Sequence, residues 1–139
     1  MIEQLKELKI ISRLGKGMDN IDITSAREKG VKVLQTKTTP APAVSELVLG
    51  LILNVARKIY QSNKALKEGK WKKQMGTLMQ GKTLGIIGLG TIGKALVRLV
   101  QGFYFTILAY DLVEDGKFQE EYNVQYSELD TLFQESDIV

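Results

Sequence analysis

Histidine and cysteine are both absent from the 139 residues. Without cysteine there is no disulfide, no thiolate metal site and no Cys nucleophile. Without histidine the chain lacks the side chain that titrates near neutrality unaided. An acid–base step would need a Lys, Tyr or carboxylate tuned by its surroundings, or a group outside these residues. No metal site is expected. Long apolar runs are missing too. The longest, residues 47–55, follows Glu46, contains Asn54 and is too short to span a bilayer. Residues 1–9 alternate charged and apolar side chains, without the apolar centre of a signal peptide. A cytoplasmic protein with no membrane partner is the expectation.

With 44% hydrophobic and 25% charged residues, the composition is that of a soluble globular chain able to build its own core. The net charge of +3 hides an asymmetry. Residues 1–110 carry 18 basic and 7 acidic side chains, whereas residues 111–139 carry 1 and 9. Lys64, Lys67, Lys70, Lys72 and Lys73 surround Trp71. This run reads as a helix C-terminal end followed by a solvated loop. No nucleic-acid motif accompanies it, so no nucleic-acid partner is expected.

The informative stretch is 82–111. Thr83-Leu84-Gly85-Ile86-Ile87 reads as a buried strand, and Gly88-Leu89-Gly90-Thr91-Ile92-Gly93 follows as a G-x-G-x-x-G. Apolar residues at 92, 95, 96, 99, 100 and 103 predict a helix, which Gly102 can end. Thr106-Ile107-Leu108-Ala109-Tyr110 reads as a second strand, ending on Asp111. In such a unit Gly88 permits the tight turn, Gly90 lets a pyrophosphate approach the backbone, and Gly93 lets helix and strand pack closely. The helix N-terminus offers unpaired N–H groups to phosphate. Asp111 stands near the offset expected of an acid that binds ribose hydroxyls. The motif alone is weak; its strand–helix–strand–acid context points to a dinucleotide.

Upstream, residues 8–12 read as a strand running into a loop with Gly15 and Gly17. Asp19, Asn20 or Asp22 can cap a short helix ending at Lys29, with Gly30 as its stop. Residues 31–34 read as another strand, making a small parallel βαβ-like unit. The Thr/Pro stretch 35–42 reads as a connection. A long helix follows, with Val44, Leu47, Val48, Leu51, Ile52, Val55 and Ile59 on one broad stripe. Leu49 and Leu53 add apolar surface on the other side, which predicts burial on more than one face. Residues 64–80 read as a polar connection. After Asp111, residues 114–121 read as an acidic loop and Val124–Tyr126 as an edge strand. Ser127 with Asp130 resembles a capping box for a helix burying Leu129, Leu132 and Phe133. Asp137-Ile138-Val139 looks like the start of another strand.

In this order the motifs resemble those of the D-2-hydroxyacid dehydrogenases. Arg13-Leu14-Gly15-Lys16-Gly17-Met18-Asp19-Asn20-Ile21-Asp22 is similar to their R-x-G-x-G-x-D-N-I-D loop. Ala43-Val44-Ser45-Glu46-Leu47 is similar to their A-V-A-E-L, Gly69-Lys70-Trp71 to their G-x-W, and Tyr110-Asp111 to their Y-D. Gly81-Lys82-Thr83-Leu84-Gly85-Ile86-Ile87-Gly88-Leu89-Gly90-Thr91-Ile92-Gly93 is close to their G-K-T-L-G-I-I-G-L-G-x-I-G. Two departures are Lys16, where the family has a smaller or apolar residue, and Thr36-Lys37-Thr38 in place of its T-P-G connection.

The resemblance implies an α/β fold. It would be a partial Rossmann-type NAD-binding domain, a parallel sheet with helices on both faces, with a fragment of a flavodoxin-like substrate domain. Residues 1–38 would be the last part of the substrate domain. Residues 39–139 would be a long crossover helix plus the first half of the NAD domain, cut off at a strand. The chain would be the middle of such an enzyme, truncated at both ends. NAD would be the cofactor, held by Gly88, Gly90, Thr91, Ile92, Gly93 and Asp111, with Lys16 near its nicotinamide half. The amides of Lys16 and Gly17 would bind a small-molecule 2-hydroxy acid, for which the resemblance favours 3-phosphoglycerate and serine biosynthesis; Arg13 and Lys16, the cations flanking this loop, read equally as contacts for a substrate phosphate or as solvated loop charges. The family's Arg, Glu and His would lie beyond Val139, so no catalytic residue is assigned and the 139 residues alone would be inactive. The long helix implies a homodimer. A stand-alone NAD-binding or regulatory module is the alternative. A methyltransferase fits less well, because the second glycine pair and the Tyr110-Asp111 strand end suit a dinucleotide.

Overall fold

The chain folds as two compact units, residues Met1–Thr39 and Pro40–Val139. The computed structural model describes residues 2–139; Met1, part of the stretch read for a leader, lies outside them.

In the first unit, strand β1 (Ile10–Arg13) pairs in parallel with β2 (Lys32–Gln35), in register from Ile10 opposite Lys32 to Arg13 opposite Gln35. Between them lies helix α1 (Ile23–Glu28). Of the three cap candidates, Asp22 takes the position: its carboxylate accepts from the Ser25 N–H at 2.9 Å and the Ser25 hydroxyl at 2.6 Å. Gly30, at φ +68°, turns the chain into β2. Both strands sit a residue or two later than the sequence pattern placed them.

The second unit opens with α2 (Ala41–Ala56), with a proline in its first turn, where a missing N–H is harmless. The predicted long helix breaks here. Lys58 takes a left-handed conformation (φ +52°), and α3 (Ile59–Lys67) begins afresh. The Asn54 side chain bridges the break by accepting from the Tyr60 N–H at 3.0 Å. Lys64 and Lys67 form the last turn of α3, as the basic run predicts, and the polar connection starts only after Lys67. The faces of α2 also differ from the sequence reading. Val48, Leu49 and Ile52 pack on the core, whereas Leu47, Leu51 and Val55 are 61%, 53% and 74% exposed. Leu49 is thus an inward residue.

Strands β3 (Thr83–Ile87), β4 (Thr106–Tyr110) and β5 (Val124–Tyr126) form a parallel sheet in that order. Ile138 then bridges to Leu84 in parallel on the other side of β3. The strand order reverses at β3, so the loop at its carboxyl end lies at a topological switch point, where open α/β sheets bind ligands. Helix α4 (Thr91–Leu99) packs on the sheet through Leu96 and Val97. Gly102 does not end it. The helix passes at Val100 into a 3-10 turn, Gln101–Phe103, and Tyr104 (φ +53°) makes the stop. The core joins Leu84, Ile86, Val97, Val100, Ile107 and Val124.

Two further expectations give way. Most of the stretch read as acidic loop is α5 (Gly116–Tyr122). Asp115 caps it, and Phe118, only 4% exposed, stacks on Tyr122 four residues on. The acidic residues on its outer face masked this anchor. Ser127 caps nothing. Its N–H is spent on Ala109 O, extending the β5 ladder, and its hydroxyl is buried without a hydrogen-bond partner among the described residues. Glu128 is the N-cap residue of α6 (Leu129–Glu135), without a side-chain bond. Leu132 is buried there, but Phe133 is exposed. Residues 137–139 make a single bridge in place of a strand.

Candidate functional site

The loop from β3 to α4 is shaped by close backbone approach. Gly88 has φ +91°, a conformation that suits glycine, and its N–H donates to Tyr110 O at 2.8 Å. A Cβ on Gly93 would stand 2.6 Å from Gly88 O, so a side chain there would push helix and strand apart. Around Gly90 a Cβ would meet nothing within 4 Å, leaving the backbone open to an approaching group. Gly90 is the N-cap of α4 and supplies no capping side chain. The N–H groups of Thr91, Ile92 and Gly93 have no acceptor within the helix, and the dipole adds positive character to them.

Asp111, directly after β4, joins this loop from the next strand. Its Oδ2 accepts from the Leu89 N–H at 2.6 Å and its Oδ1 from the Val113 N–H at 3.3 Å. The bond from Val113, then that from Leu89, holds the carboxyl below its ordinary range, so it is ionised at neutral pH. A carboxylate has about four lone-pair sites, so two remain for further donors. Open glycine backbone, unspent helix amides and an ionised acid with free lone pairs fit a dinucleotide: anionic pyrophosphate on the amides, ribose hydroxyls on the acid. Gly88, Gly90, Thr91, Ile92, Gly93 and Asp111 are thus brought together in the second unit.

Arg13, Lys16 and Gly17 lie together in the first unit, in a loop organised differently. The Arg13 side chain folds back over it, Nε donating to Gly17 O at 3.2 Å and Nη1 to Leu14 O at 2.7 Å. Gly15, at φ +129°, lies beneath the guanidinium. Lys16 and Gly17 are exposed. The Asp22 carboxyl, which ends this loop, is held below its ordinary range by the Ser25 hydroxyl and N–H.

Sequence reasoning missed two residues next to the glycine loop. Lys94, one position past Gly93, pairs with Asp115 at 2.5 Å. They lie 21 residues apart, and no short-range pattern links them. Among the described residues no cluster of His, Cys, Asp and Glu is suited to a metal. No described helix is long and apolar enough to cross a membrane.

Residues 49–139 match the family model described as D-isomer specific 2-hydroxyacid dehydrogenase, NAD binding domain. The whole chain aligns with the hydroxypyruvate reductase of Thermotoga maritima at 48% identity, covering 45% of that protein. It aligns with the D-3-phosphoglycerate dehydrogenase of Archaeoglobus fulgidus at 38% identity, covering 27%. The apo-structure of D-lactate dehydrogenase from Escherichia coli superposes on 99% of the chain with a TM-score of 0.87 and 34% identity, over 45% of that structure. The chain therefore spans between about a quarter and a half of the length of these relatives.

Proposed function

This chain belongs to the D-isomer specific 2-hydroxyacid dehydrogenase family, and on that premise we propose that the protein transfers a hydride between NAD and C2 of a small D-2-hydroxy acid. The observation that carries the reading is the junction of the glycine loop with Asp111, where the Leu89 N–H meets the carboxylate at 2.6 Å. NAD, when bound, supplies the hydride acceptor or donor. In this reading the amides of Thr91 and Ile92 hold the pyrophosphate. Gly88, Gly90 and Gly93 shape the loop, and Asp111 accepts from the ribose hydroxyls. The amides of Lys16 and Gly17 take the substrate carboxylate, and Lys16 also contributes to cofactor binding. Residues 1–38 act as substrate-domain residues and 39–139 as cofactor-domain residues. The proton of the substrate hydroxyl needs a group tuned near neutrality. The chain has no histidine, the side chain that titrates near neutrality unaided. Proton transfer is assigned to a group outside these residues.

Two substrates compete: 3-phosphoglycerate, favoured by the motif resemblance, and the unphosphorylated glycerate–hydroxypyruvate pair suggested by the Thermotoga maritima relative. Arg13 would be the bidentate phosphate contact, but two of its donors are spent on its own loop. That favours the unphosphorylated substrate. A homodimer through the outward stripe of α2 is part of the same proposal: Leu47, Leu51 and Val55 recur every four residues and are exposed. Sedimentation should show at least a dimer, disturbed by Leu51→Lys.

Calorimetry of the 139-residue chain tests the core of the reading. We expect saturable NAD binding and no turnover of hydroxypyruvate or 3-phosphoglycerate. Absence of NAD binding overturns the reading, and turnover overturns the placing of proton transfer. The runner-up, a binding module without catalysis, is favoured by the missing histidine alone. Turnover of a 2-hydroxy acid by the enzyme purified from its native source would exclude it.

A further inference from the structure

The loop between β4 and α5 is pinned at both ends, and ribose binding accounts for only the first pin. That one is Asp111 on Leu89. Four residues on, Asp115 Oδ2 accepts from Lys94 Nζ at 2.5 Å. The other Asp115 oxygen caps α5 by accepting from the Phe118 N–H at 3.1 Å, and its own N–H donates to the Tyr126 hydroxyl at 2.9 Å. Lys94 stands in the first turn of α4, its side chain about a quarter exposed and its ammonium 5.3 Å from the Phe118 ring centroid. The ammonium is thus held against α5 by a carboxylate and a ring face.

Beside this pair lies an open groove of about 670 Å³, lined by Lys94, Val113, Glu114, Asp115, Lys117 and Glu120 among others. After the Val113 and Leu89 N–H groups, the Lys94 charge also lowers the pKa of the Asp111 carboxyl slightly. A phosphate on the ribose 2′-oxygen would leave the ribose where Asp111 holds it, next to Lys94. It would carry about −1.5 to −2 charges. As arranged, it meets Asp111 and a groove whose carboxylates, Glu114, Asp115 and Glu120, stand with Lys117, while the cation of the first α4 turn is already paired.

Resting on the NAD reading above, we propose that Asp115 determines cofactor specificity by sequestering Lys94, and that without this pairing Lys94 would neutralise a 2′-phosphate and admit NADP. Selectivity then has two parts: Asp111 repels the phosphate, and Asp115 withholds its natural partner. Removing a negative charge while freeing a positive one changes the local balance in one step.

The test is Asp115→Asn in the full 139-residue chain. Asn caps a helix about as well as Asp, so α5 keeps its start. Dissociation constants for NAD and NADP are read by calorimetry, alongside the melting temperature with each. We expect NADP to bind at least about tenfold tighter than before, and NAD to stay within about twofold, the scale of one charge-assisted hydrogen bond gained. Adding Lys94→Met should erase the gain. Asp115→Ser, with another capping residue, should reproduce it and guards against a folding defect peculiar to Asn. An unchanged NADP/NAD ratio in the folded variants, or a gain that survives Lys94→Met, overturns the inference. A parent chain that binds no NAD overturns the NAD reading instead, and the inference falls with it.

Discussion

Two glycine loops follow parallel strands in this chain, and they hold their shapes by different means. Residues 88–93 are fixed by backbone contact. Gly88 N–H bonds Tyr110 O, Gly93 lies against Gly88 O, and Asp111 reaches in from the adjacent strand. The loop at 13–17 is fixed by a side chain, the Arg13 guanidinium folded onto two of its carbonyls. The first sits on a three-stranded sheet with a contiguous buried core; the second joins a two-stranded pair whose strand residues are all at least partly exposed. A loop held by packing tolerates no added volume. One held by a half-buried cation with solvent-accessible hydrogen bonds yields gradually.

The sharpest way to break the comparison is to add one methyl group. In Gly93→Ala the new Cβ has backbone, not a flexible side chain, at 2.6 Å. Helix and strand must separate, at a cost of about 2 kcal/mol by analogy with overpacked cores. Denaturant unfolding should show this loss, and calorimetry should show NAD affinity down more than about tenfold. Unchanged values for both would mean that the close approach is not what shapes the loop.

Asp111→Ala comes next. It leaves Gly93 packed but removes the acceptor for the Leu89 N–H and for the ribose. NAD should bind roughly tenfold to a hundredfold more weakly, the scale of one or two hydrogen bonds to a charged group. The advantage of NAD over NADP should shrink at the same time. If titrations with both cofactors are unaltered, Asp111 is not the ribose ligand. Arg13→Gln is the counterpart in the other loop. Its two carbonyl bonds are solvent-accessible, so about 1 kcal/mol is at stake, or roughly fivefold faster amide exchange across residues 14–18. Exchange elsewhere should not change.

The contrast also explains what could be read from the amino-acid order. Strand, glycine loop, helix and acid at 83–111 were legible because each is set by local rules: apolar runs, glycine spacing, helical periodicity. Asp22 as a cap was among the legible candidates for the same reason. Lys94 with Asp115 was not, since a pair 21 residues apart has no local signature until the sheet brings α4 and α5 together. Helix α5 was hidden because its acidic outer face outweighed the single buried Phe118. The inward turn of Leu49 was hidden because α2 is apolar on more than one side, and periodicity alone cannot say which side meets the sheet. The carbonyl bonds of Arg13 leave no trace in a motif that reads it as a free cation.

Acid is the mildest way to separate the two regions. Among the described residues, Asp22 is the carboxyl held below its ordinary value of 3.8 in the first unit, chiefly by the Ser25 hydroxyl. In the second unit there are three: Asp111 through Val113 N–H, Asp115 through Lys94, and Asp137 through Thr83 N–H. A carboxyl with a lowered value binds its proton less tightly in the folded chain than in the unfolded one. Its stabilising contribution is therefore complete above the ordinary value and is lost as pH falls from there through the folded value. Stability should accordingly be flat down to about pH 5 and fall below about pH 4. All four groups are solvent-accessible, so each step is small and screened by salt. The second unit should show the steeper fall, because it carries three such groups against one. Amide exchange followed separately in α1 and in α4 would read the two slopes. Asp137→Asn should flatten the second slope and leave the first unchanged, and Asp22→Asn should do the reverse. Equal slopes, or a first unit steeper than the second, would mean that these carboxylates do not anchor the cofactor-side loops as their hydrogen bonds imply.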